Sequence, residues 1–112
     1  MQEFAFLFHP GHAVSPGDLP RRNAAAREWA LARRQEGTLR GASPLEDGGF
    51  VVSRQAVTPL PPGQGVASVL VVEARDLDAA VALAKAHPGL AFGTEIEVRP
   101  LKVVAPSPPS GR

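Results

Sequence analysis

The chain contains no cysteine. That removes disulfide scaffolds, thiolate metal sites, iron-sulfur clusters and cysteine nucleophiles together, and it fits a reducing cytoplasmic setting. Long apolar runs are also missing: Val69 to Val72, like every other apolar stretch, falls far below the roughly 20 residues needed to span a bilayer. Met1 is followed directly by a strand-like segment bearing Glu3, so the expectation is a soluble, unprocessed, cytoplasmic protein. Charge of one sign is scarce too, since 12 basic and 11 acidic residues leave a formal net charge of +1. No strong field gathers nucleic acid or an anionic membrane, and neither is expected as a partner.

What is present is an ordinary globular composition, 44% hydrophobic and 21% charged, in 112 residues. This predicts one domain, residues 1–104, with a loose tail at 105–112 whose "APSPPSGR" has nothing to pack. "EFAFLF" (3–8) reads as a buried strand closed by Pro10 and Gly11. Good helix formers run from Leu19 to Glu36, with Asp18 as cap, Pro20 tolerated in the first turn and Gly37 as the stop; Leu19, Ala26, Trp29, Ala30 and Arg33 lie near one face. Extended segments at 38–45 and 49–53 flank "EDGG", a local signal for a hairpin. "RQAVTPLPPGQG" carries three prolines and reads as a connection at the surface or edge.

"VASVLVVEA" (66–74) is apolar on both alternating faces, the mark of a strand covered on two sides. Asp76 caps an amphipathic helix with Leu77, Ala80, Val81 and Ala84 at i, i+3, i+4 and i+7, ending near Ala86 because Pro88 disfavours helical geometry at His87. Residues 94–101 alternate as a final strand, with Thr94, Ile96 and Val98 under the helices and Glu95, Glu97 and Arg99 on the other side. The order specifies an α+β fold with a ferredoxin-like βαβ-β-βαβ pattern: an antiparallel sheet with both helices on one face. Two-sided apolarity of residues 66–74 then predicts a homodimer that covers the other face, sheet on sheet.

Three stretches carry a resemblance: "FAFLF", "GTLRGASPLE" and "VLVVEARDLDAAVALAKAHPGLAFGTEIEVRPL". Over about residues 2–102 the chain resembles the YCII-related family, often labelled by a DGPF motif. The resemblance implies a dimeric α+β barrel. In members similar to muconolactone isomerases it also implies a His on the first helix and an Asp before the proline after the second. At the matching positions this chain has Ala26, or a neighbour within a residue or two, and His87. "VTPLPPGQG" stands where the DGPF word should fall.

His87 is either a general acid or base or, with more weight, a charged histidine favouring the helix C-terminus. His9 and His12, flanking Pro10 and Gly11, lack a third ligand, so no metal is assigned. Glu97 and Arg99 either meet a ligand inside a barrel or, with more weight, form a charge ladder with Glu95 at a dimer margin. Trp29 reads as a packing anchor, and Arg21, Arg22, Arg27, Arg33, Arg34 and Arg40 as a solvated face without the aromatic series that stacks bases. Together these predict a small-molecule-binding or accessory homodimer without robust catalysis or cofactor, with a ligand pocket drawn from His9, His87, Glu97 and Arg99. The alternative is a lyase or isomerase acting on a small carboxylated or lactone substrate, with Arg99 as anion anchor and His9 or His87 moving protons.

Overall fold

The computed structural model describes residues 1–11 and 14–103. His12 and the tail assigned to 105–112 lie outside them. In chain order the elements are β1 (Gln2–His9), α1 (Leu19–Gln35), β2 (Leu39–Pro44), β3 (Phe50–Val52), β4 (Val57–Pro59), β5 (Ser68–Ala74), α2 (Leu77–Lys85), a short 3₁₀ helix (Pro88–Phe92) and β6 (Glu95–Pro100). Four strands form one antiparallel sheet in the order β2-β5-β1-β6. Each β-α-β half is split by a strand of the other, since β5 lies between β1 and β2, and β1 between β5 and β6. This order is compatible with the ferredoxin-like arrangement.

Register fixes which side chains share a face. Phe4 pairs with Val72, Phe6 with Leu70 and Val98, and Phe8 with Ile96, so these residues project together beneath the helices. Phe4, Phe6 and Val72 are fully enclosed, and one apolar cluster joins them to Phe8, Leu39, Leu70, Trp29 of α1 and Ala80 and Ala84 of α2. Both helices therefore cover the same side of the sheet, with Ile96 and Val98 packed against the cluster as expected. The opposite side carries Leu7 against Val69 and Ala5 against Val71. In the single chain Leu7, Val69 and Val71 are only half-buried.

Four local expectations need correction. The Asp47-Gly48 turn does not join β2 to the next strand: β2 pairs with β5, and β3 pairs instead with β4 in a separate two-stranded hairpin closed by Ser53 N–H donating to the Ala56 carbonyl at 2.8 Å. Pairing with β5 buries Leu39 beside Val72, a non-local gain that the local turn signal does not compete with. Part of the proline-rich connection is consequently strand β4, with Pro59 at its end, where a missing donor is tolerated. On α2 the inner seam is Ala80 and Ala84 with Ala79 and Leu83 beside it, while Leu77 and Val81 stay exposed. The phenylalanines of β1 fill the space beneath, so the helix presents alanine to them. Leu19 is likewise exposed, and Asp18 accepts from Arg21 Nη2 at 2.6 Å rather than capping α1 with its side chain.

Truncating the buried centre and an exposed helix position separates the two environments. Phe6→Ala should lower unfolding free energy by roughly 3–5 kcal/mol, whereas Leu31→Ala should change it by no more than about 0.5 kcal/mol. Urea denaturation followed by circular dichroism reads both values.

Candidate functional site

A recess beside titratable groups lies between α1 and the sheet, a cleft of about 440 Å³. That volume falls within the range of small-molecule pockets, roughly 300–1,000 Å³. Its apolar lining comes from Phe8, Ala42 and Leu70 of the sheet and from Ala26 and Ala30 of α1. Polar groups enter from three directions: Arg22, Asn23 and Arg27 on α1, Ser68 on β5, and His87 and Thr94 around the 3₁₀ helix. No carboxylate is among the lining residues. A second recess, about 240 Å³ at the base of the β3–β4 hairpin, is lined by Glu46, Asp47, Leu45 and Leu60 with no basic residue or histidine.

His87 follows the inner seam of α2, three residues beyond Ala84, which carries it under the sheet's helix side rather than out to solvent. Only 7% of it is exposed. Its ring meets Phe8 edge-on at 4.8 Å and Trp29 at 4.7 Å between centroids. Nδ1 accepts from the Gly89 N–H at 2.9 Å, making His87 the N-cap of the 3₁₀ helix. Burial pushes its pKa down from an ordinary 6.5 to about 4. A charged histidine serving the α2 C-terminus is thus corrected to a neutral one, because the aromatic surround penalises the cation.

With Nδ1 as acceptor, the proton of the neutral ring sits on Nε2. That nitrogen has no hydrogen-bond partner among the described residues. Nor is it sealed off, since the fully enclosed unpaired polar atoms are Trp29 Nε1 and Arg33 Nε. His87 therefore offers the cleft one unsatisfied donor.

The other expected site residues gather on the opposite side of the sheet. His9 Nε2 lies 3.0 Å from Glu97 Oε1, and Arg99 Nη1 donates to Glu97 Oε2 at 3.3 Å. The hydrogen bond from His9, then the Arg99 guanidinium, hold the Glu97 carboxyl below its ordinary range. All three are substantially exposed, which matches a marginal charge ladder. His9 also touches the rim of the cleft where β1 ends, but Glu97 and Arg99 do not line it. A single pocket of His9, His87, Glu97 and Arg99 is accordingly corrected: strand alternation sends Phe8, and with it His87, to one side, and His9, Glu97 and Arg99 to the other.

The sequence reading missed Arg22 and Arg27. Both had been assigned to a solvated face, yet they flank the stripe of Asn23, Ala26 and Ala30 on α1 and line the margins of the cleft. Arg22 also donates to Asn23 Oδ1 through Nε at 3.3 Å and Nη2 at 3.1 Å. The available signal was their spacing around Ala26, the position that the family resemblance had already singled out.

Among the described residues, no group of three or more His, Asp or Glu side chains is placed to hold a metal ion, and no helix is long and apolar enough to cross a membrane. No family model matches the chain, and no curated protein matches it significantly.

Loss of the His87 proton on folding sets a pH dependence. The unfolded chain takes up a proton near pH 6.5, which the folded ring refuses until about pH 4. The contribution is full above pH 6.5 and falls as pH drops toward 4. Discounted for solvent reaching Nε2, it is on the order of 2 kcal/mol. Denaturation curves across this window should fall more steeply for wild type than for His87→Gln, which keeps an acceptor for Gly89 but does not titrate.

Proposed function

We propose that this chain is a YCII-like homodimer that binds a small organic anion in the cleft between α1 and the sheet, acting as a binding or accessory module in the cytoplasm rather than as a robust catalyst. The observation that carries this reading is the cleft's composition: an apolar floor, Arg22 and Arg27 from α1, a neutral His87, and no lining carboxylate among the described residues. Two guanidiniums favour a negative group, while Phe8 and Leu70 suit an apolar body. The YCII-like assignment itself rests on the resemblance of residues 2–102 together with a sheet order compatible with that family's fold.

The dimer is supported by the sheet side opposite the helices. Leu7, Val69, Val71 and Ala5 form its apolar centre, with the His9–Glu97–Arg99 ladder toward one edge. Packing two such sides together forms the α+β barrel and completes the burial implied by the two apolar faces of β5.

A lyase or isomerase is the less favoured reading. Of its two proton carriers, His87 lies on the other side of the sheet from Arg99, while His9 shares Arg99's side but both are engaged by Glu97, and Ala26 stands where the resemblance would place a catalytic histidine.

Two measurements test the proposal. Light scattering should give a mass near twice 11.7 kDa, and a clean monomer at micromolar concentration rules out the barrel. Mass spectrometry of molecules retained on purification, followed by thermal shift, should identify organic acids. Stabilisation should approach about 2.7 kcal/mol at a hundredfold the dissociation constant, and should vanish in the Arg22→Ala/Arg27→Ala double variant. Retention of only neutral or cationic molecules overturns the anion reading.

A further inference from the structure

The β3–β4 hairpin is the most unusual surface of the molecule. Phe50, Val51 and Val52 are consecutive, so they project to both faces of the ribbon, and all are exposed, with Val57 exposed across from Val52. The ribbon is held by its own ladder, and an isolated two-stranded hairpin is marginal in water. Its turn carries Arg54, which forms no ion pair among the described residues. An exposed apolar arm tipped with a cation needs a surface that is both apolar and acidic.

The sheet side opposite the helices is apolar at its centre and, apart from the His9–Glu97–Arg99 ladder, carries two carboxylates at one end. Besides Leu7, Val69 and Val71 it presents Glu3 directly across from Glu73, a like-charged pair with no ion-pair partner among the described residues. Direct opposition of like charges is unfavourable. The area is also small: four strands about 17–20 Å long at about 4.8 Å spacing project roughly 350 Å². A standard interface takes about 800 Å² from each partner. Sheet-on-sheet contact alone leaves the proposed dimer short of that.

We infer that the hairpin of one protomer is an arm that lies on the open sheet side of a second copy, with Arg54 against the partner's Glu3 and Glu73. This rests on the homodimer reading and extends it by naming the contact and the orientation. If the two-fold axis ran along the strands, the Glu3–Glu73 ends of both copies would coincide and four carboxylates would meet. If it runs across them, each Glu3–Glu73 end faces the partner's opposite end. The hairpin departs from that end, after Pro44 of β2 and before Ser68 of β5, which pair beside Phe8. That opposite end also carries His9, Glu95 and Glu97, so the position of the arm's root, rather than avoidance of carboxylates, sets the orientation; because the contact is isologous each arm is used once.

A charge exchange between two variants tests the contact. Arg54→Glu, and separately Glu3→Lys/Glu73→Lys, should each weaken self-association by about tenfold or more in analytical ultracentrifugation, because each places like charges together. An equimolar mixture of the two should recover wild-type association as a heterodimer, since both arms then meet opposite charge. Circular dichroism of each variant confirms that the sheet body is intact, as none of these residues belongs to the buried cluster. Recovery only on mixing excludes an arm folded back on its own chain. Wild-type association in Arg54→Glu overturns the arm while leaving a dimer standing. Weakening without recovery on mixing overturns the pairing with Glu3 and Glu73. A monomeric wild type overturns the dimer itself.

Discussion

Strand β1 is hydrogen-bonded on both edges, to β5 and to β6, and that single constraint distributes the chemistry of the molecule. A central strand cannot rotate about its axis without breaking two ladders, so Phe4, Phe6 and Phe8 must all project to one side and Ala5, Leu7 and His9 to the other. The phenylalanine side takes both helices because it offers a continuous apolar surface to bury. Its size then dictates what the helices show it: alanine from α2, and one large anchor, Trp29, from α1. A slip of one residue in β1 would exchange the core for the charged ladder.

The same packing explains why two histidines in one small protein behave differently. His9 stands at the end of β1 on the open side, exposed beside Glu97. His87 stands at the end of α2, where the seam of Ala80 and Ala84 continues inward and Phe8 and Trp29 close around the ring. Desolvation there disfavours the imidazolium, and the Gly89 N–H fixes the tautomer. The residue after α2 thus ends one helix, begins the next short one, and turns its remaining donor toward the cleft.

Much of this was legible from the sequence where pattern and burial coincide. The alternation of residues 94–101 correctly divided Ile96 and Val98 from Glu97 and Arg99, and the apolar run of β5 marked a sheet strand whose Leu70 and Val72 enter the core. Local signals failed where a distant partner outweighed them, as at Asp47-Gly48, where β2 joined β5 instead of its neighbour in sequence. The helical periodicity of α2 was visible, but Leu77 and Val81 carried more hydrophobic weight than the alanines that face the core, because volume set by β1 is not written in α2. The cleft was hidden for a related reason. Arg22 and Arg27 have the composition of a solvated helix, and only the position of α1 over Leu70 and Ala42 gives them a wall to line.

The cleft's electrostatics bear on the choice between binding and turnover. General acid-base catalysis works best when a group's pKa lies near the operating pH, and it usually sets two groups with separated pKa values against each other. His87, held at about pH 4, is almost wholly neutral at pH 7 and is a weak base. Arg22 and Arg27 present hydrogen-bond donors and no acceptor. No carboxylate lines the cleft to orient the imidazole or stabilise its cation, and Nδ1, where such a carboxylate would act, is already committed to the Gly89 N–H. What lines the cleft is then one neutral imidazole and two guanidiniums around an apolar floor, groups of the kind that bind a negative charge.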